Sequence, residues 1–476
     1  MKVLFASSEA YPFAMSGGLA DVSGALPKAL RKRFVGCRVV MPLYAAVSEE
    51  MRNKMTFICS ITVPVSWRRQ YCGIFEAHID GVIYYLLDNQ YYFNREGLYG
   101  HYDDAERFAF FSRAVLEIIP YIDFTPDIIH CNDWQTALIP VYLDAFYRFA
   151  EQYQNIKTVF TIHNIQYQGK FGEEVLEDVL GIPKEYASLL HNDDCINLMK
   201  GAIECANAVT TVSPSYAKEI LDPYYSHGLD NILRMRSWKI HGILNGIDTV
   251  SNDPGGDKNL PVNFSSEDVS GKAVCKAALQ KEMGLPEKPD TPLIGMVTRL
   301  VSHKGLDLVK CVLEELLCTS DVQVIVLGSG DWQYETFFNE ISDKYPDKLA
   351  VKIGFVPSLA SRIYGGSDIF LMPSQSEPCG LSQMFALRYG SIPIVRATGG
   401  LRDSVTDSGD NEGNGFVFED YNAHDMLHTI RRALEGYSDK DGWAILRKRA
   451  MECDYSWGRS ANEYIKLYKA LIKGEN

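Results

Sequence analysis

The eleven cysteines include no CxxC pair, which argues against a zinc ribbon or a thioredoxin-type centre. Unpaired thiols of this kind fit a reducing cytoplasm. No stretch approaches ~18 uninterrupted apolar residues, so no membrane span is expected. A secretory leader is not expected either. The first apolar run is only Val3–Ala6, and Ser7, Ser8 and Glu9 follow at once. There is no low-complexity tract and no repeat at a period of ~20–50 residues. Basic residues are the scarcer charge, 47 against 61, for a net charge of −14. A chain this acidic is poorly suited to coating nucleic acid or an anionic membrane, so neither is expected as a partner. An anionic substrate would have to be held by a few local cations. The GxGxxG dinucleotide fingerprint is also missing.

What is present is an alternation of short apolar runs and longer amphipathic segments. At ~150 residues per domain, 476 residues suggest two or three domains. The runs Val3–Ala6, Arg38–Leu43, Val82–Leu87, Asp127–Cys131, Thr158–Ile162 and Ala208–Val212 form one set. A second set is Leu293–Thr298, Val322–Leu327, Ala350–Ile353, Ile369–Met372, Ile392–Val395 and Gly415–Phe418. They are rich in Val, Ile and Leu and do not alternate with polar residues, as parallel strands covered on both faces should read. Segments such as Ala105–Ile119, Lys304–Leu317 and Ala423–Leu434 supply the helices. The pattern predicts α/β architecture: two Rossmann-like, doubly wound parallel sheets, 1–245 and 246–455, with a cleft between them. The break follows Asn245-Gly246-Ile247-Asp248, where a turn-rich stretch, Val250 to Ser270, begins. A last helix within 456–476 could return to the first domain.

Several strand ends carry candidate chemistry. Gly17 and Gly18 lie between the first strand and a helix, where backbone N–H groups can approach a phosphate. A plain turn is an equal reading. Asp133 and Trp134 end the fourth strand and suit a sugar, with Asp133 as a helix cap the competing reading. His163-Asn164 closes the fifth. Arg299 and Lys304 share one strand–helix loop and could clamp a diphosphate. The stretch from Ser374 to Gln383 offers Glu377 for sugar hydroxyls and the backbone of Gly380, Leu381 and Ser382 for phosphate. Thr398-Gly399-Gly400 repeats the strand–GG–helix arrangement. Asp439-Lys440-Asp441 spells DxD but reads as a solvated turn.

Together these residues resemble the bacterial glycogen synthases and plant starch synthases. The resemblance runs along nearly the whole chain, through the GGLADV loop, Tyr99-Gly100, Glu106-Arg107-Phe108, His130 with Asp133-Trp134, Thr161–Ile165 and Tyr167-Gln168-Gly169. It continues through Asn245–Asp248, Arg299 with Lys304–Asp307, Arg362-Ile363-Tyr364, Glu377–Leu381, Gly399–Leu401 with Asp403, and Tyr455-Ser456-Trp457. The resemblance implies a GT-B fold whose first domain is the starch-synthase catalytic domain on the acceptor side. The second would be a glycosyltransferase domain on the nucleotide-sugar side. It implies retaining transfer of an α-glucosyl unit from ADP-glucose to the non-reducing 4-hydroxyl of an α-1,4-glucan such as glycogen, in the cytoplasm. No metal or other cofactor is implied, since Arg299 and Lys304 take the place of a divalent ion.

By the same resemblance Glu377, His163, Arg299 and Lys304 are catalytic. The donor would meet Met15, Gly17, Gly18, Asp21, Asn164, Asn245, Phe355 (stacked on adenine), Cys379, Gly380, Leu381 and Ser382. The acceptor would meet Tyr99, Asp133, Trp134 and Gln135. Three positions depart from the family pattern. Met15 replaces a phosphate-contacting Lys, Gln135 replaces a frequent His, and Ser251–Pro254 replaces a Trp-Asn-Pro stretch. Other readings of the same fold are a GT-B enzyme with a different nucleotide sugar, or a glucan-binding protein without catalysis.

Overall fold

The computed structural model describes residues 1–410 and 412–475. Residues 411 and 476, inside the expected segments 246–455 and 456–476, lie outside the described residues. Two compact units divide the chain, one over Met1–Asn245 and the other over Gly246–Ser456. The C-terminal helix Trp457–Lys473 belongs to the first unit. Among the described residues, no helix is long and apolar enough to cross a membrane.

The first unit holds β1 (Lys2–Ala6), β2 (Gly36–Pro42), β3 (Met55–Val65), β4 (Arg68–Ile79), β5 (Val82–Asp88), β6 (Ile128–Asn132) and β7 (Lys157–Ile162). β8 (Lys170–Phe171), β9 (His191–Asn192) and β10 (Cys195–Asn197) form a small separate sheet. β11 (Ala208–Thr211) and β12 (Ile240–Gly242) complete the large one, whose order is β12-β11-β7-β6-β1-β2-β5-β4-β3. The strands from β12 to β5 are parallel. From β1 the chain builds outward through β2 to β5, then returns to lay β6, β7, β11 and β12 on the other side. The reversal places a crevice at the carboxyl ends of β1 and β6, where ligands of such sheets bind.

One edge differs from the expected all-parallel sheet. β3 and β4 form an antiparallel hairpin, and β4 pairs antiparallel with β5. The apolar-run reading missed it because residues along β3 alternate between exposed and covered. Its two-residue turn, Ser66-Trp67, also lacks the usual Asn-Gly signature, although Ser66 adopts φ 53°.

The second unit holds β13 (Leu293–Val297), β14 (Gln323–Gly328), β15 (Leu349–Ile353), β16 (Ile369–Met372), β17 (Ile392–Arg396) and β18 (Phe416–Phe418). All are parallel, in the order β15-β14-β13-β16-β17-β18, so the reversal here lies between β13 and β16. Ile294, Met296, Val324 and Val326 pack on the helix Leu306–Thr319, which buries Leu306, Val309, Val312, Leu313, Leu316 and Leu317 at helical spacing.

The C-terminal helix is tied into the first unit by polar as well as apolar contacts. Tyr468 Oη lies 2.6 Å from His130 Nδ1, and Ser460 donates to the Leu244 carbonyl at 2.5 Å. His130 Nε2 lies 2.6 Å from Thr161 Oγ1, which in turn meets Thr210 Oγ1 at 2.5 Å. Burial holds the His130 pKa down at about 3, with His163 adding to the effect. The Asp439-Lys440-Asp441 stretch is a helix start rather than a free turn. Asp439 caps Lys440–Met451 by accepting from the Gly442 N–H at 3.1 Å.

Candidate active site

In the first unit, the ends of β1, β6 and β7 meet through buried polar groups. Asp133, just past β6, does not cap the helix that follows. It adopts φ 56° and ψ 177°, a region that costs a non-glycine residue ~1–3 kcal/mol. In that conformation its carboxylate reaches across to β7 and accepts from the His163 N–H at 2.8 Å. Burial pushes the Asp133 pKa up to about 7. The N–H groups of His163 and Asn164 partly offset the rise, and the nearby Glu9 adds to it.

His163 is oriented by Asn132. The Asn132 amide donates to the Ala6 carbonyl at 2.9 Å and to the His130 carbonyl at 3.3 Å, so its oxygen is the acceptor at 2.9 Å from His163 Nε2. Nε2 therefore carries the proton and Nδ1 is bare. Burial holds the His163 pKa down at about 3, so the ring is neutral near pH 7.

Glu9 follows β1 and is 3% exposed. It accepts from the Ser16 N–H at 2.5 Å and so holds the loop that leads to Gly17. Burial raises its pKa. Gly17 caps the helix Gly18–Arg31 without any side-chain hydrogen bond, and Asp21 lies exposed in the first turn. Neither Gly17 nor Gly18 needs to be glycine for internal packing, because a Cβ at either would meet nothing within 4 Å. Met15 stands on the same loop, half exposed. Ser8 Oγ lies 2.7 Å from Tyr99 Oη. The Trp134 ring is half-buried, edge-on to Phe108 at 5.1 Å, and Gly169 (φ 65°) lies against it, where a Cβ would come within 2.6 Å. Gln135 and Asn245 are buried, and Gln135 Oε1 and Asn245 Oδ1 have no hydrogen-bond partner among the described residues.

In the second unit, the reversal point gathers charge instead. Lys304 Nζ meets Glu377 Oε2 at 2.6 Å, and Ser374 Oγ donates to the same oxygen at 3.0 Å. Lys304 lies in a 3-10 turn, Ser302–Lys304, and the α-helix begins only at Leu306. Arg299 is exposed and makes no ion pair among the described residues. Phe355 is 86% exposed, just past Gly354, whose N–H donates to the Gly328 carbonyl at 2.9 Å.

The glycines hold these loops in backbone contact. A Cβ on Gly305 would fall 1.9 Å from the Pro373 carbonyl oxygen, and one on Gly399 2.0 Å from that of Glu377. The Gly400 N–H donates to the Glu377 carbonyl at 3.1 Å. The Gly399-Gly400 pair thus serves loop packing. Cys379 and Gly380 are buried, Leu381 and Ser382 half-buried, and the helix starts at Ser382.

Two residues of the first unit escaped the sequence reading. In sequence Glu9 is only a polar residue ending an apolar run, and Asn132 is only the neighbour of Asp133 at the end of a strand. A buried acid directly after a first strand is a usable signal for the former.

Residues 2–235 match the family described as starch synthase catalytic domain, and residues 280–450 match the glycosyl transferases group 1. The chain is 53% identical to a glycogen synthase of Geobacillus thermodenitrificans, covering 100% of this chain and 99% of the relative. It is 51% identical to one from Desulforamulus reducens, covering 99% of each. Among solved structures, the catalytic domain of starch synthase IV from Arabidopsis thaliana, bound to ADP and acarbose, superposes with a TM-score of 0.90. That pair shares 34% identity over 99% of each chain. A sucrose-phosphate synthase from Thermosynechococcus elongatus, at 16% identity and a TM-score of 0.60 over 99% of each chain, shares the GT-B fold alone. With half of its residues shared over the full length of these relatives, the chain belongs to the glycogen synthase family of glycosyltransferases.

Proposed function

We propose that this glycosyltransferase moves an α-glucosyl unit from ADP-glucose to the non-reducing 4-hydroxyl of an α-1,4-glucan, with retention of configuration. The observation that carries the reading is the cluster at the β13/β16 reversal, where Arg299, Lys304 and Glu377 converge on the ligand-binding end of the sheet. A departing diphosphate needs cations that neutralise the charge it gains, which is the part given to Arg299 and Lys304. Glu377 grips the hydroxyls of the donor glucose. Phe355 is the stacking surface for adenine. The open space over Gly17 and Gly18 suits N–H donors facing a phosphate, with Asp21, Asn164, Asn245, Cys379 and the Gly380–Ser382 backbone completing the donor contacts. Tyr99, Asp133, Trp134 and Gln135 serve the acceptor.

In the reaction the bond from C1 of the glucose to the diphosphate oxygen breaks and a bond from C1 to the acceptor oxygen forms on the same face. The acceptor hydroxyl's proton leaves with the ADP. His163, held neutral, brings no positive charge against the oxocarbenium character that develops at C1. No carboxylate is assigned as a nucleophile. The unpaired thiols suit a reducing compartment, and we place the reaction in the cytoplasm. Labelled ADP-glucose with glycogen tests the whole reading. Label should enter the polymer and be released by an α-1,4-specific hydrolase. Preferential incorporation from UDP-glucose would replace the donor assignment, and no incorporation from either would remove the enzyme reading.

A further inference from the structure

A groove of about 800 Å³ lies in the first unit, along β12 at the free edge of the large sheet. Its walls are the helix Pro214–Glu219 and the C-terminal helix, and Trp238 stands beside β12 on its rim. No residue assigned to the donor or the acceptor lines it. We propose that this groove is a second glucan-binding site, separate from the transfer site, with Trp238 as its stacking platform. The inference rests on the acceptor being a glucan.

The Trp238 indole is 65% exposed, yet it is not a loose side chain. The ammonium of Lys239 lies 5.6 Å from its ring centroid. Lys239 is itself buried and donates to the carbonyls of Glu204 at 3.0 Å and Ala206 at 2.7 Å. One face of the indole is thus backed by an anchored neighbour. An aromatic plane held open to solvent suits the C–H face of a hexose ring.

The charge of the groove selects against an anion. Lys466 is paired with Glu463 at 2.7 Å, and burial lowers the pKa of His241, which favours its neutral form. Lys218 and Lys239 are the cations of the lining without an ion pair among the described residues, and Lys239 spends its donors on the Glu204 and Ala206 carbonyls. These groups offer donors and acceptors around an aromatic with little net charge, which matches a neutral, polyhydroxylated chain. A peptide strand added to β12 is the other ligand a sheet edge could take, but this edge is only three residues long, a poor template for pairing. A branched polymer held at two places gains avidity that a short oligosaccharide cannot.

The experiment uses the full chain, wild type beside Trp238→Ala and Trp238→Phe. Retardation in a glycogen-containing native gel reads the site without turnover. Steady-state transfer to glycogen and to maltotriose reads the reaction. The expected result is loss of retardation and a KM for glycogen raised roughly 3- to 10-fold in Trp238→Ala. Its constants for maltotriose and donor should stay within about twofold of wild type, and Trp238→Phe should keep most of the binding. Unchanged retardation and glycogen KM in Trp238→Ala would overturn the site. An equal loss with glycogen and maltotriose would also overturn it, by making Trp238 part of the fold or the transfer site. Wild-type retardation that vanishes in about 0.5 M salt would mark an anion site instead. Retardation by glycogen without transfer to any glucan would leave this groove standing and remove the reading of the reaction.

Discussion

The two strand-order reversals sit at the same place in their sheets but are built from opposite materials. At β1/β6, two carboxyl groups, the buried Glu9 and the half-buried Asp133, are held by backbone N–H groups rather than by a cation, and His163 is kept neutral. At β13/β16, a lysine–glutamate pair and an exposed arginine face the crevice. The first arrangement presets backbone: each carboxylate fixes a loop that the ligand would touch. The second keeps charge ready to move. On the proposed function, an arriving diphosphate would draw Lys304 away from Glu377 and leave Glu377 for the sugar. Substitutions in the second unit should therefore act on the chemical step. Those at Met15 and Glu9 in the first should act on binding and stability.

The largest effect is expected at Glu377. Glu377→Ala should cut transfer by at least about 100-fold, the ~3 kcal/mol scale of a group acting on the transition state, with the fold intact by circular dichroism. A variant keeping more than about a tenth of wild-type turnover would break the comparison. Arg299→Ala and Lys304→Ala should each cost about 100-fold in turnover, unrelieved by Mg²⁺, while EDTA leaves the wild type active. If either variant raised only the donor KM, its cation would belong to ground-state binding.

Met15→Lys sharpens the contrast from the first unit. On the proposed donor contacts, a lysine there would add a charge-assisted hydrogen bond to a phosphate oxygen, typically worth ~1.5–3 kcal/mol. The donor KM should fall by about tenfold or more with little change in turnover at saturation. Unchanged kinetics would mean that the diphosphate already has its full set of cations. Glu9→Ala should act in the opposite direction. Loss of the hold on Ser16 should raise the donor KM several-fold, on the order of 1 kcal/mol, and Glu9→Gln, which can still accept that N–H, should recover most of it. Equal damage in both variants would assign Glu9 to general stability.

The smallest effect concerns acid. His130 and His163 have folded pKa values of about 3, against ~6.5 for an unfolded chain. Between those limits the unfolded state binds more protons, so stability should fall as pH drops from about 6.5 toward 3. Asp133, raised to about 7, works the other way: it keeps a proton in the folded state that an unfolded carboxyl, at ~3.9, has lost. Its contribution favours folding at the acidic end of its window, and Glu9, whose pKa burial also raises, acts in the same direction, so the histidine contribution is read as the difference between wild type and a His130 variant. Urea midpoints measured across this range should fall less steeply with acid in His130→Asn than in wild type. Parallel slopes would place the acid sensitivity elsewhere.

Much of this was legible in the amino-acid sequence because it depends on short-range patterns. Buried parallel strands read as unbroken apolar runs, and the glycine-flanked strand ends show where backbone can approach a ligand. The similarity to the glycogen synthases rests on motifs in order along the chain, which needs no tertiary structure. Tertiary structure decided what those residues touch. Local sequence offers Asp133 as a sugar ligand or, slightly better, as a helix cap, and only the apposition of β6 and β7 turns it toward the His163 N–H. Thr398-Gly399-Gly400 repeats the strand–GG–helix arrangement in sequence, and only the fold lays Gly399 and Gly400 against the backbone of Glu377 and Cys379. The hairpin of β3 and β4 was hidden by its exposed face, and Glu9 by its position beside two serines. Each of these outcomes depends on partners distant along the chain, and pairing across such separations is set by the packed sheet rather than by local spacing.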